Sequence, residues 1–168
     1  VNPRSVMGAT KRLAELYLIE RAATGAGDTR LMAVRFGNVL GSRGSVVPVF
    51  QRQIAQGGPV TVSHPDVARY FMTVHEAALL VVEAGALGTG GEIFILDMGE
   101  QMPIVELARD LVIFSGFRPD VDIPITIVGL KQGEKLREEL VHNYESLEDT
   151  PVKGLRVTRG GGVRSEVS

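Results

Sequence analysis

Three groups of residues in this chain could do chemistry. In the first stretch, Met7, Lys11 and Glu15 stand at i, i+4 and i+8, so a helix would put them on one face. Lys11 follows the small residues Gly8, Ala9 and Thr10, which lets an ammonium approach a ligand closely. The plainer reading is an amphipathic helix with a solvated lysine. Asn38 sits in a glycine-flanked loop, Gly37-Asn38-Val39-Leu40-Gly41, where its amide can donate without adding charge or can simply make a turn. Arg69 carries a planar fork suited to bidentate contact with an anion, and Gly133-Glu134-Lys135-Leu136 offers a carboxylate acceptor. Their plain readings are a solvated strand arginine and an ordinary charged helix face.

Secondary structure must place these groups. Residues Arg4 to Ala23 read as a helix opened by Pro3 and ended by Thr24-Gly25-Ala26-Gly27-Asp28. Arg30 to Phe36 is a mostly apolar run, of the kind expected for a strand buried on both faces of a parallel sheet. The Asn38 loop follows at its C-terminal end, where open α/β sheets bind ligands. Val46 to Gln56 reads as a helix stopped by Gly57-Gly58-Pro59, Val60-Thr61-Val62 as a short strand, and Arg69 to Val74 as one extended piece. Thr73, with Glu76 three residues on, suits an N-cap for a helix to about Ala86. Glu92 to Leu96 reads as a second buried strand, Pro103 to Ser115 as a helix, Ile123 to Val128 as a strand and Lys135 to His142 as a short helix. The chain from residue 146 to 168 reads as a flexible extension.

Composition removes several alternatives. A length of 168 residues suits one domain with a real core, and 44% hydrophobic with 23% charged residues is globular. The formal charge of −2 lacks the basic excess of a nucleic-acid binder. With no cysteine there is no disulfide frame, thiol nucleophile or Cys-type zinc site. His64, His75 and His142 are not at metal-ligand spacing, so no metal is expected. Ser42 and Ser45 lack a nucleophile-elbow setting, which argues against a hydrolase. No apolar run approaches the ~20 residues of a membrane span, and no signal peptide is visible. The start at Val1 and the lack of a G-x-G-x-x-G turn after a strand lead us to expect a longer parent protein, with the dinucleotide's phosphate cradle upstream.

The motifs together carry a resemblance. MGATK (7–11) occupies the place of the Tyr-x-x-x-Lys helix of extended short-chain dehydrogenase/reductases (SDRs). RFGNVLG (35–41), RYFMTVHEA (69–77), GGEIFILDMGE (90–100) and GEKLREEL (133–140) follow in that family's order. The chain resembles the C-terminal half of the polysaccharide-biosynthesis branch, UDP-N-acetylhexosamine 4,6-dehydratases, over about residues 1 to 145. The fold implied is α/β: the C-terminal part of an NAD(P)-binding, Rossmann-like extended SDR fold with its small substrate-binding α/β region.

The resemblance also implies roles. Lys11 would hold the nicotinamide ribose, with Phe36 and Val39 also against the NAD (or NADP) cofactor. Met7 replaces the usual tyrosine; a thioether has no titratable proton, so the general base must lie elsewhere. Met-x-x-x-Lys is similar to the large membrane-anchored dehydratases of capsule, O-antigen and glycan synthesis, in which Met7 would pack near the nicotinamide. The family's Thr-Asp-Lys segment would lie just upstream of Val1. Asn38 and Arg69 would contact the UDP-sugar diphosphate, Glu134 the uridine ribose hydroxyls, and Val46, Val47 and Pro48 the uracil side. Lys131-Gln132 stands where relatives have Arg-Pro, which keeps a charge but loses the planar fork.

The implied reaction is oxidation at sugar C4, loss of water across C5 and C6, and hydride return, giving the 4-keto-6-deoxy sugar. The partners implied are the UDP-sugar, the N-terminal half of the same protein and, in the parent, a second copy in a homo-oligomer. Neither nucleic acid nor membrane contact is expected of this chain. The expected location is cytoplasmic, with a parent anchored in the inner membrane. The alternatives are an epimerase or reductase of the same superfamily, or an inert nucleotide-sugar binding fragment.

Overall fold

The computed structural model describes residues 1–25, 27–42 and 44–159. In chain order the elements are α1 (Val6–Thr24), β1 (Ala33–Arg35), β2 (Asn38–Val39), α2 (Val46–Ala55), β3 (Val60–Val62), β4 (Ala68–Arg69) and β5 (Phe71–Met72). There follow α3 (Val74–Leu87), β6 (Glu92–Leu96), β7 (Met102–Pro103), α4 (Ile104–Phe114), β8 (Ile125–Ile127), β9 (Glu148–Asp149) and β10 (Leu155–Arg159). The chain divides into two compact units.

The first unit comprises Val1–Phe36, His75–Asp97 and the chain from Glu139 on. Its sheet has the order β1-β6-β10-β9. The central β6, Glu-Ile-Phe-Ile-Leu, is buried at every position: its four apolar residues suit a strand covered on both faces, and the Glu92 carboxylate accepts from the backbone N–H groups of Thr89 and Gly90. It pairs parallel with β1 and antiparallel with β10, so Phe94 stands between Val34 and Val157. The Ser5 hydroxyl caps α1 by accepting from the Gly8 N–H at 3.1 Å, and Gly25 at φ 94 ends it.

One buried cation binds this unit together. Arg35 ends β1 at 9% exposure. Its Nε and Nη2 donate to the two oxygens of Glu15 on α1 at 2.6 and 2.7 Å. Its Nη1 and Nη2 donate to Glu145 at 2.7 and 2.8 Å, and Nη1 also to the Leu140 carbonyl at 3.0 Å. Burial works to lower the Arg35 pKa, but the two carboxylates overcome it and hold the guanidinium charged. Burial likewise pushes both glutamates upward, and the Arg35 hydrogen bonds outweigh it, leaving each carboxyl below its ordinary value. His142 donates its backbone N–H to Glu145 at 2.8 Å and stacks its ring on Tyr144.

The second unit comprises Gly37–Val74 and Met98–Glu138. Its core is Phe50 and Ile54 of α2, Val60 and Val62 of β3, Val67, four residues of α4 (Ile104, Leu107, Ala108, Val112) and Ile123. The α4 residues recur at helical spacing, which buries one stripe. β3 pairs parallel with β8, β2 parallel with β5, and β4 antiparallel with β7. The Gln53 amide ties α2 to β3: its Nε2 donates to the Thr61 hydroxyl at 2.8 Å and its Oε1 accepts from Thr61 N–H at 3.1 Å.

Several sequence expectations are corrected. Arg30 to Phe36 gives only the three-residue β1, with Ala33 and Val34 half-buried, because β1 stands at an edge of the sheet. The expected extended piece Arg69 to Val74 breaks at Tyr70, whose carbonyl turns to receive Asn38 N–H at 2.9 Å. β4 and β5 therefore have different partners. Lys135 to His142 is not helical. Its carbonyls are taken by distant donors: Leu136 by Ala68 N–H at 2.9 Å, Glu138 by Gln101 Nε2 at 2.9 Å, and Leu140 by Arg35. An i to i+4 ladder cannot form while those acceptors are engaged. The flexible extension expected from residue 146 is corrected over β9 and β10, which join the sheet through β6 because a buried apolar strand needs a partner on each side. Residues 160–168 lie outside the described residues.

Replacing Glu145 with Gln should destabilise the chain by about 2 kcal/mol at neutral pH, since Arg35 keeps Glu15 but loses a charged acceptor. The Glu145 contribution is full above its unfolded pKa near 4.5 and is lost as pH falls through its lower folded value. Urea unfolding at pH 7 and pH 3 should therefore show a smaller acid loss in the variant than in the wild type.

Candidate functional site

The proposed cofactor residues begin on the first unit. Met7 is 67% exposed and Lys11 is exposed, so the α1 face they share is not packed into that unit's core. Glu15, third member of the same face, is instead the partner of Arg35. Phe36, at the end of the first unit, is 38% exposed. Val39 is half-buried in β2 of the second unit.

The residues assigned to substrate lie on the second unit. Asn38 opens β2, Arg69 ends β4, and Lys131 and Glu134 stand on the turn after β8. Val46 and Pro48 lie in the first turn of α2, both half-buried, and Val46 also packs against the core. Asn38, Arg69 and Glu134 are brought together, linked through carboxylates. Arg69 Nη2 is 3.6 Å from Glu134 Oε1, and Arg69 Nε is 3.7 Å from Glu138 Oε1. Asn38 Nδ2 lies 3.3 Å from the same Glu138 oxygen and donates to the Tyr70 carbonyl at 3.2 Å. Arg69 Nη1 donates to the carbonyls of Ala68 and Leu136 at 2.9 and 3.1 Å.

Glu134 is held from both sides. Its Oε1 accepts from the Ser63 hydroxyl at 2.7 Å and its Oε2 from Lys131 N–H at 3.1 Å. Its own N–H donates back to the Lys131 carbonyl at 3.0 Å, closing a turn with Gly133 at φ 80. The carboxylate is thus fixed as an acceptor beside Arg69. Lys131 contributes a backbone bond to this turn, not a side-chain one, in the described contacts.

Two members were not read from the sequence as site residues. Glu138 belonged to a run read as a charged helix face, and its role follows from the absence of that helix. Ser63 precedes His64-Pro65 with no signal in its spacing. Gly37 is required here by close approach. A Cβ on it would lie 2.7 Å from the Tyr70 Cβ, 3.1 Å from Glu138 Oε2 and 3.2 Å from the Met98 sulfur. Among the described residues no group of three or more His, Asp or Glu could hold a metal, and no helix is long and apolar enough to cross a membrane.

Comparison with known proteins places the chain in a family. The family model for polysaccharide biosynthesis proteins matches residues 1–159. The chain belongs to that family. It is 55% identical over 145 residues to the capsular polysaccharide biosynthesis protein CapD of Staphylococcus aureus and 53% identical over 145 residues to the probable polysaccharide biosynthesis protein EpsC of Bacillus subtilis. Each match covers 86% of this chain and 24% of the relative, so the chain spans about a quarter of their length. The X-ray structure of Pen from Bacillus thuringiensis superposes with a TM-score of 0.84 at 33% identity, over 97% of this chain and 50% of Pen. Further matches are UDP-glucose 4-epimerases of Rickettsia species at 35–37% identity and, on fold alone, dTDP-glucose 4,6-dehydratases with bound NAD. The family member described here therefore has the Rossmann-like extended SDR fold; it is similar in sequence to UDP-glucose 4-epimerases, and its likeness to the dehydratases is one of fold.

Gly37→Ala should destabilise this polysaccharide-biosynthesis chain by about 1–3 kcal/mol, the usual cost of overpacking, because the Tyr70 Cβ belongs to a bonded backbone and cannot move aside alone. Thermal unfolding would check this; an unchanged melting temperature would remove the close-approach argument.

Proposed function

We propose that the chain supplies the nucleotide-sugar pocket and the cofactor lysine of an NAD-dependent 4,6-dehydratase acting on a UDP-N-acetylhexosamine. The observation that carries this reading is the meeting of Asn38, Arg69 and Glu134 within one unit: Arg69 lies 3.6 Å from the Glu134 carboxylate, and Asn38 and Arg69 share the Glu138 carboxylate at 3.3 and 3.7 Å. An amide, a guanidinium and a fixed carboxylate answer the three polar demands of a uridine diphosphate: neutral donor, cation and ribose-hydroxyl acceptor. Val46 and Pro48, half-buried at the start of α2, offer an apolar edge for the base.

Lys11 suits the cofactor side by its chemistry, an exposed ammonium one residue after the hydroxyl of Thr10. It would hold ribose hydroxyls, with Phe36 and Val39 against the nicotinamide. When bound, NAD supplies a hydride acceptor that is restored within the turnover. Met7 cannot exchange a proton, so the base and the acid for water loss come from residues outside this chain's assigned set. The names of CapD and EpsC support a place in polysaccharide synthesis. A second reading, epimerisation at C4, is favoured by the Rickettsia relatives, and is weakened by Met7, since that chemistry depends on the tyrosine.

Calorimetric titration of this chain with UDP should show binding that Arg69→Ala weakens by about tenfold or more, as expected for losing a charged contact of about 1.5–3 kcal/mol. The isolated chain should not turn over UDP-N-acetylglucosamine. The full-length parent, incubated with UDP-N-acetylglucosamine and NAD, should yield a 4-keto-6-deoxy sugar by mass spectrometry and NMR. A C4 epimer would refute the dehydratase reading.

A further inference from the structure

The proposed phosphate donors are already occupied by a side chain of the protein itself. Asn38 Nδ2 has two hydrogens, and its neighbours at 3.2 and 3.3 Å are the Tyr70 carbonyl and Glu138 Oε1. Both neighbours only accept, so chemistry fixes the amide with its nitrogen inward. In this state Asn38 has no hydrogen left for a ligand. Arg69 Nε faces the same Glu138 oxygen at 3.7 Å. One carboxylate oxygen therefore stands where an anionic ligand oxygen would collect an amide hydrogen and a guanidinium hydrogen.

That carboxylate is poorly satisfied where it lies. Its other oxygen, Oε2, is buried with no hydrogen-bond partner among the described residues. It lies 3.1 Å from where a Cβ on Gly37 would be, so a larger residue there would crowd it. Burying an unpaired carboxylate oxygen is costly, and the cost is recovered if the group turns into water. The side chain is 28% exposed, which gives it a way out, while the Glu138 carbonyl stays fixed by Gln101 Nε2 at 2.9 Å. The backbone is anchored and the side chain alone has reason to move.

We propose that Glu138 is a placeholder for ligand phosphate: its carboxylate holds the donors of Asn38 and Arg69 in the empty chain and surrenders them to the diphosphate on binding. This rests on the nucleotide-sugar pocket proposed above and adds to it a residue that sets affinity. Its cost is a weaker empty-to-bound transition. Its gain is a pair of donors kept aligned and desolvated before the ligand arrives. A purely structural Glu138 and a placeholder predict opposite signs. Removing a structural acceptor loosens Asn38 and weakens binding; removing a competitor strengthens it.

The test is calorimetric titration of UDP and of inorganic pyrophosphate into the wild-type chain, Glu138→Gln, Glu138→Ala and Arg69→Ala. Glu138→Gln, which keeps the shape and removes the charge, should bind both ligands about tenfold more tightly, the loss of one charged competitor. Unchanged or weaker affinity in both Glu138 variants, with Arg69→Ala still weakened, overturns the placeholder and leaves the pocket standing. Failure of UDP to bind the wild type and Glu138→Gln alike overturns both. A measurement that needs no variant is the side-chain amide signal of Asn38 in wild-type NMR spectra. It should shift as pyrophosphate is added, and an unmoved signal at saturation overturns the exchange of partners.

Discussion

The first unit depends on one guanidinium. Arg35 is enclosed by two carboxylates and a carbonyl from three separate stretches: α1, the segment around Leu140, and Glu145. Desolvating a cation this far is unfavourable by several kcal/mol, and the bidentate geometry on both glutamates is what offsets it. The consequence for the proposed cofactor lysine is indirect. α1 has no buried residue of its own, so its placement cannot come from a hydrophobic stripe alone. Glu15 fixes the helix, and the helix carries Lys11 one turn away on the same face.

The second unit works differently. Its core is apolar and compact, built by α2 and α4 against β3 and β8, and its polar residues gather on the connecting turns. Those turns have few backbone bonds of their own, so side chains hold them: Ser63 and Lys131 N–H on Glu134, Gln101 on the Glu138 carbonyl, Met98 against Gly37 N–H. A site built this way has rigid foundations and individually adjustable donors.

How much of this was legible beforehand varied with physical cause. α2, α4, β3 and β6 were readable because each is dictated by a local apolar pattern or run. Asn38, Arg69 and Glu134 were readable as a set through motif order, though not through any one spacing. Lys135–His142 was misread because its charge pattern favours a helix locally, while its carbonyls are claimed by residues 37 to 105 positions away. Tyr70 was misread as mid-strand because nothing in Arg-Tyr-Phe-Met announces that its carbonyl serves Asn38. Glu138 went unseen for both reasons. Glu15 shows the reverse error: a residue on the chemically suggestive face proved to be a structural counter-ion. Long-range polar bonds leave no periodicity, and they decide this protein's loops.

The antiparallel pairing of β10 on β6 bears on how the chain must be handled. The motifs quoted for the family end at Leu140, which makes the stretch just beyond them a tempting place to cut. A cut there would strip away the antiparallel neighbour of Glu92–Leu96 and leave five sheltered residues, four of them large and apolar, as a bare rim. Such a rim recruits strands from other molecules. A recombinant version ending before Leu155 would therefore lose solubility before it lost any motif.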